Sequence, residues 1–279
     1  MKILVTGSNG MVGHAIKEVF KEHQLILTDI AELDVRDYNK VMDSSYCPDL
    51  IIHLAAETNL ERCEANPSSA YMTNHTGTMN ITLLAKALNI PIVYISTAGI
   101  FDGKKEAYTE IDNPNPINHY GRSKWYGELA VLNHRKHWIC RAGWMMGGGP
   151  EIDKKFVNLV FKQIKSGVEV IYAIDNVYGS PTYTYDLANT IKSMIENTPY
   201  GIYNTAGHGI ASRYDVAVEI VKCLNADVRV IPVKDGYFKD FTCIRSASEV
   251  LDTIKLPNSV SKMRDWHISL KEYMKCYTL

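Results

Sequence analysis

Through the first half of the chain, short apolar runs alternate with stretches whose apolar residues recur at helical spacing. Lys2–Thr6, Leu25–Thr28, Leu50–Leu54, Ile92–Ser96 and Trp138–Arg141 read as strands. Met11–Glu22, Tyr38–Asp43, Ser68–Leu88 and Ser123–Asn133 read as helices. Alternation of this kind builds βαβ units and predicts an α/β fold, a doubly wound parallel sheet with helices on both faces. The run Leu50-Ile51-Ile52-His53-Leu54 lacks polar alternation, as expected of a strand covered on both sides. His53 within it reads as a satisfied core or rim histidine rather than a ligand.

After Arg141 the texture changes. Gly147-Gly148-Gly149-Pro150 reads as a loop, Lys154–Ser166 as a helix and Val168–Ile174 as a strand. Tyr185–Glu196, Tyr214–Leu224 and Leu270–Tyr277 look helical, with a further strand near Val228–Ile231. The shorter, less regular elements suggest a smaller substrate-binding lobe. We therefore expect a dinucleotide-binding domain over 1–143 and a mainly substrate-binding lobe over 144–279, with helix 185–196 returning to the first domain.

Composition adds exclusions. At 46% hydrophobic and 22% charged, with a formal net charge of −1, the 279 residues suit an ordinary globular protein. No global field draws nucleic acid or anionic membrane, and no run approaches the roughly 20 apolar residues of a membrane span. Gly7 to Gly10 interrupts any signal-peptide core, so a cytoplasmic location is expected. The six cysteines are scattered without metal-type spacing and read as reduced thiols, several of them in apolar contexts; no metal site is expected.

The first strand runs straight into Thr6-Gly7-Ser8-Asn9-Gly10-Met11-Val12-Gly13, which opens a helix. Strand, tight turn and helix form the context of a dinucleotide-binding turn in a Rossmann sheet. Gly7 would permit the turn, Gly10 would admit a pyrophosphate, and Gly13 would let helix and strand pack. The helix start, with Asn9, Met11 and Val12, would offer N–H groups to the anion. About 20 residues on, Asp29 ends the second strand, where a carboxylate binds ribose hydroxyls and repels a 2′-phosphate. NAD is thereby slightly favoured over NADP, although Arg36 could reach in. Asp34 is a second acidic candidate near the adenine. Leu54-Ala55-Ala56, at the end of the third strand, would let a flat ligand lie against the backbone. Asn74, in an otherwise apolar helix, must spend its amide on a neighbouring loop or on the cofactor pocket.

The sharpest signal joins Ser96-Thr97, at the end of the fourth strand, to Tyr120-Gly121-Arg122-Ser123-Lys124. Tyrosine and lysine at i and i+4 share a helical face. A phenol near an ammonium can lose or deliver a proton close to neutrality, while hydride moves to or from a nicotinamide. Thr97 would hold the same substrate oxygen. A lone Tyr-x-x-x-Lys arises by chance on many helices. With the glycine turn, and with Thr97 lying 23 residues upstream of Tyr120, chance becomes a poor explanation.

Together these segments resemble the extended short-chain dehydrogenase/reductase superfamily, and within it the dTDP-4-dehydrorhamnose reductase group. Asp49 to Thr58, Cys63-Glu64-Ala65-Asn66-Pro67, Phe101-Asp102-Gly103, Arg141-Ala142-Gly143-Trp144, Gly179-Ser180-Pro181-Thr182 and Asp265-Trp266 share in the likeness, which covers nearly the whole chain. The resemblance implies that Thr97, Tyr120 and Lys124 are catalytic and that Gly7, Gly10, Met11 and Val12 hold the pyrophosphate. It also implies that Ala55, Ala56 and Asn74 line the cofactor and that Trp144 lies near the sugar. The chain departs from the group's pattern after the threonine, where Ala98-Gly99 replaces Asp-Tyr, and at Glu57, which replaces a histidine.

The expectation is NAD(P)-dependent reduction of the keto group of a nucleotide-linked deoxysugar, with Tyr120 as proton donor and a nucleotide sugar as partner. A homodimer is left open. A sugar-nucleotide 4-epimerase is the nearest rival, because Ser96-Thr97-Ala98 suits it too. A 4,6-dehydratase fits less well, since Ala98-Gly99 supplies no acid/base pair. A non-catalytic regulatory subunit of the same fold is the rival from another class.

Overall fold

Strand β1 (Lys2–Thr6) leads through the glycine turn into helix α1 (Met11–Val19) and returns as β2 (Gln24–Thr28). Then follow α2 (Tyr38–Met42), β3 (Leu50–His53), α3 (Leu60–Ala65), α4 (Pro67–Tyr71) and α5 (Thr78–Ala87). Next come β4 (Ile92–Thr97), α6 (His119–Leu132) and β5 (His137–Ala142). Short polar side chains set the helix starts. Asp37, Asn59, Asn66 and Asn118 each accept a backbone N–H of the first turn, and Pro67 occupies the first turn of α4, where its missing N–H costs nothing. The computed structural model describes residues 1–43 and 45–278.

The second half contains β6 (Met145–Met146), α7 (Gly149–Ile152), α8 (Phe156–Lys165), β7 (Val170–Ile174), β8 (Tyr178–Gly179) and β9 (Thr182–Tyr183). It continues with α9 (Thr184–Asn197), β10 (Gly201–Asn204), β11 (Ala211–Ser212) and α10 (Arg213–Leu224). It ends with β12 (Arg229–Val233), β13 (Ser248–Glu249) and α11 (Trp266–Met274). Ser212 and Asp215 close α10 with a reciprocal capping box.

The main sheet has the order β10-β5-β4-β3-β1-β2 and is parallel throughout. Both faces are covered. Ile3 and Val5 join Ile16 of α1 and Leu187 and Ile191 of α9 on one side. On the other side Leu4 and Ile51 pack with Ile81, Leu84 and Val131. Because successive strand residues point to opposite faces, burial on both faces removes any polar alternation. A separate apolar cluster builds the lobe, from Val157, Val160 and Phe161 of α8 to Ile220 of α10 and Leu270 of α11.

Some expectations are revised. The 68–88 stretch is helical from Pro67 to Ala87 but passes through a π-helical segment, Met72–Gly77, which apolar spacing alone does not distinguish from a regular helix. The loop read at 147–150 already contains the start of α7: Gly148 and Gly149 take positive φ and Pro150 enters the helix. Helix α3 and strand β10 escaped the pattern. The former is only six residues long, half of them charged, and the latter has only four residues. All six cysteines are free; Cys63, Cys140 and Cys243 are buried, whereas Cys47 and Cys276 are exposed.

Candidate active site

Parallel strands end on one edge of the sheet, and that edge collects the segments singled out in the sequence. Gly7 has φ +66°, and a Cβ there would fall 2.7 Å from the Ala55 nitrogen, so the turn packs directly on the end of β3. A Cβ at Gly13 would lie 2.3 Å from the Ser8 carbonyl oxygen, so here the helix closes on the turn itself. Gly10 differs. A Cβ there would meet only the Gly7 oxygen, at 3.5 Å, and no side chain caps α1. Space and first-turn N–H groups are therefore available to an anion in front of half-buried Met11 and Val12. These residues fit a dinucleotide pyrophosphate.

At the end of β2, Asp29 accepts from the Asn9 N–H (3.1 Å) and from the Ile30 N–H (2.8 Å), coupling β2 to the turn. Glu32, which sequence reasoning missed, accepts from the Asp29 N–H at 2.9 Å and adds a second carboxylate. Asp34 has a partner of its own. Arg36 donates to it from Nε (2.8 Å) and from a terminal nitrogen (2.6 Å), and this grip holds the Asp34 carboxyl below its ordinary range. Asp34 is thus ion-paired with Arg36.

Leu54, Ala55 and Ala56 continue β3 and are half-buried beside the turn, with the Leu54 N–H on the Thr6 carbonyl (3.1 Å). Asn74 spends its amide on the neighbouring loop, one of the two fates open to it. It is completely buried, its Oδ1 accepts from the Glu57 N–H (2.8 Å), and its amide donates to the Glu57 carbonyl and to Ser123 Oγ (both 2.9 Å). It clamps the loop after β3 to α6. His53 is likewise satisfied, between Thr6 Oγ1 (2.7 Å) and Thr78 Oγ1 (3.0 Å), and burial lowers its pKa to about 3.

Thr97 ends β4, and the Gly99 N–H donates to its Oγ1 at 3.1 Å. Its hydroxyl lies beside Tyr120: Thr97 Oγ1 and Tyr120 Cε1 each stand 3.5 Å from the point where a Cβ on Gly99 would sit. Asn118 starts α6 one residue before His119 and fixes where Tyr120 and Lys124 fall on the helix face. Lys124 is buried, donates to the Ile95 carbonyl at 2.7 Å, and stands 4.1 Å over the Tyr94 ring. Burial lowers its pKa to about 7, against the pull of Glu128.

The electrostatics of the phenol depart from expectation. Burial, with Glu249 and Cys63 adding to it, pushes Tyr120 up to about 12 against the Thr97 hydrogen bond. Lys124 spends its charge on Ile95 and Tyr94 instead. The protein holds Tyr120 as a neutral phenol, which suits a proton donor.

Trp144 follows β5 and donates from its indole nitrogen to Glu249 Oε2 at 2.8 Å. Arg213 lies over its ring at 3.7 Å, and a Cβ at Gly179 would fall 2.4 Å from it. Lys155 of the lobe reaches Thr58 Oγ1 (3.0 Å), across from the loop after β3. Neither Glu249 nor Arg213 carried a motif in the sequence; the pairing of β13 with β8, in the three-stranded sheet β11-β8-β13, brings Glu249 in.

Known proteins with this architecture are similar over their full length. A dTDP-4-dehydrorhamnose reductase from Yersinia enterocolitica shares 34% identity and superposes with a TM-score of 0.90, covering 99% of both chains. The dTDP-4-dehydrorhamnose reductase of Bacillus anthracis, solved in complex with NADP, shares 30% with a TM-score of 0.91 over 98% of both. The spore coat polysaccharide biosynthesis protein SpsK of Bacillus subtilis is 30% identical over 98% of this chain and 97% of its own. Residues 1–279 match one family description from end to end, and the chain belongs to that family, the RmlD substrate binding domain.

Proposed function

We propose that this protein reduces the 4-keto group of a nucleotide-linked deoxysugar, using NADH or NADPH. The carrying observation is that Thr97 and Tyr120 flank one point beside Gly99, on the same sheet edge as the open turn at Gly10. The turn and the start of α1 would hold the pyrophosphate, Asp29 the adenosine ribose, and Lys124 the second ribose. When bound, the cofactor supplies hydride to the carbonyl carbon. Thr97 orients the carbonyl oxygen by donating to it. Tyr120, kept protonated by its surroundings, gives its proton to that oxygen as negative charge develops there. Trp144 would cover the sugar. The likeness to SpsK supports a product destined for a surface polysaccharide, made in the cytoplasm. No helix among the described residues is long and apolar enough to cross a membrane.

The test supplies a dTDP-linked 4-keto-6-deoxysugar with excess NADH and follows absorbance and product together. Stoichiometric NADH loss with formation of the 4-hydroxy sugar is expected. Conversion of a 4-hydroxy nucleotide sugar without added cofactor, with NAD carried through purification, would move the assignment to the 4-epimerases. No turnover, together with co-purification on a larger enzyme, would favour the regulatory-subunit reading. A homodimer belongs to this proposal: Met79 and Leu83 of α5 and Leu129 and Leu132 of α6 are exposed on neighbouring helices. A monomer mass in light scattering would exclude it.

A further inference from the structure

The short side chains at Ala98-Gly99 leave one wall of the site without a polar group, and the lobe supplies one. A Cβ built on Gly99 would lie 3.5 Å from Thr97 Oγ1, 3.5 Å from Tyr120 Cε1 and 3.6 Å from Glu249 Oε1. Those three groups surround a single point, the place where a larger side chain at position 99 would stand. A Cβ there would touch all three at ordinary van der Waals distance. Glu249 thus brings a carboxylate, from a different segment, beside the position where a side chain after Ala98 would begin.

Its carboxyl is held in place. Oε2 accepts from the Trp144 indole at 2.8 Å. That indole is sandwiched between the bare face of Gly179 and the Arg213 guanidinium, while Arg213 also lies 4.9 Å over Phe156. β13 pairs in register with β8, placing Glu249 opposite Gly179. Oε1 accepts no hydrogen bond among the described residues, yet it is not one of the buried atoms left without a partner. One oxygen is anchored and the other faces the cleft. Such a pre-positioned acceptor has a ready partner in a sugar hydroxyl.

We propose that Glu249 is a specificity-determining residue whose Oε1 accepts a hydrogen bond from a ring hydroxyl next to the carbon held between Thr97 and Tyr120. This rests on the reading of the site as one for a nucleotide-linked sugar. Burial raises the carboxyl above its ordinary range, with the Trp144 bond and the Arg213 and Arg245 charges acting against it. The contact belongs to the carboxylate: with Oε2 accepting from Trp144, a proton on Glu249 would sit on Oε1 and make it a donor instead. Selection follows from the geometry: a sugar lacking that hydroxyl leaves Oε1 without a donor, and a bulkier substituent meets the fixed carboxyl.

The experiment compares calorimetric binding of dTDP, a dTDP-linked 6-deoxyhexose and its 3-deoxy analogue, in the wild type, Glu249→Ala and Glu249→Gln. The wild type is expected to bind the hydroxylated sugar nucleotide more tightly than the 3-deoxy analogue, by roughly 10-fold or more, as for a hydrogen bond to a charged group. Glu249→Ala should erase that difference while leaving dTDP and NADH affinity unchanged. Glu249→Gln, with the same shape, should keep part of it. With turnover, the loss should fall on KM more than on kcat. A hydroxyl preference that survives in Glu249→Ala, or one absent from the wild type, would overturn the proposal. If NADH oxidation fails but the Glu249-dependent sugar increment is present, the reductase assignment falls and this contact stands.

Discussion

Arg36 holds Asp34 through a two-point ion pair, 2.8 and 2.6 Å long, two residues apart in the loop after β2. Such a fork uses the guanidinium in its preferred bidentate geometry. The base nearest in sequence to the adenosine ribose position is therefore already engaged, while Asp29 and Glu32 present carboxylates there.

This relationship yields the first prediction. NADH should bind at least as tightly as NADPH, because a 2′-phosphate beside unpaired carboxylates costs on the order of 1 kcal/mol or more. Asp34→Ala frees Arg36 and should shift the preference several-fold toward NADPH. Fluorescence titration of both cofactors at fixed salt reads it. A wild type with a clear NADPH preference would contradict the assignment of Asp29.

Tyr120→Phe removes the proton donor but keeps the ring. We expect turnover to fall roughly 100- to 10,000-fold, with cofactor affinity nearly intact. Lys124→Ala should weaken both, since the lysine is proposed to hold the cofactor ribose and lies one helical turn beyond Tyr120. Ordinary kcat in Tyr120→Phe would mean that another acid protonates the product.

The helix carrying Tyr120 and Lys124 is also tied down from behind. Glu128 of α6 accepts from Arg141 of β5 at 2.9 and 2.8 Å, with side chains only 1% and 3% exposed. Glu128→Ala would strand a buried guanidinium and should cost about 3–5 kcal/mol. Denaturant titration measures it. A loss under about 1 kcal/mol would show that water or a neighbour replaces the carboxylate.

His53 predicts a pH dependence of stability. Its folded pKa, about 3, lies below the value near 6.5 that it regains on unfolding. Between these values the unfolded chain binds the extra proton, so stability is full above about 6.5 and falls as the pH drops. At pH 5.5 the loss from this group should be about 1.5 kcal/mol. Comparing melts at pH 7.5 and 5.5 with those of His53→Gln isolates it: the variant should show the smaller drop, and equal drops would assign the acid sensitivity elsewhere.

Much was legible in the chain itself. Strand runs such as Leu50–His53 and the turn Gly7–Gly13 carry local signals, because period, glycine and capping residues act within a few neighbours. Tyr120, Lys124 and Thr97 could be singled out for the same reason: an i, i+4 spacing and a strand end are local facts. What Asn74, Asp34 and Tyr120 do depends on which groups meet them. Asn74 turned out to clamp Glu57 to Ser123, and the Tyr120 phenol was raised by burial rather than lowered by Lys124. Glu249 lies 129 residues beyond Tyr120 in a strand of two residues, with no pattern to announce it. Local propensity determines elements and their faces; desolvation, charge and contact across the cleft arise only when distant segments are packed together, and those decided the chemistry of the site.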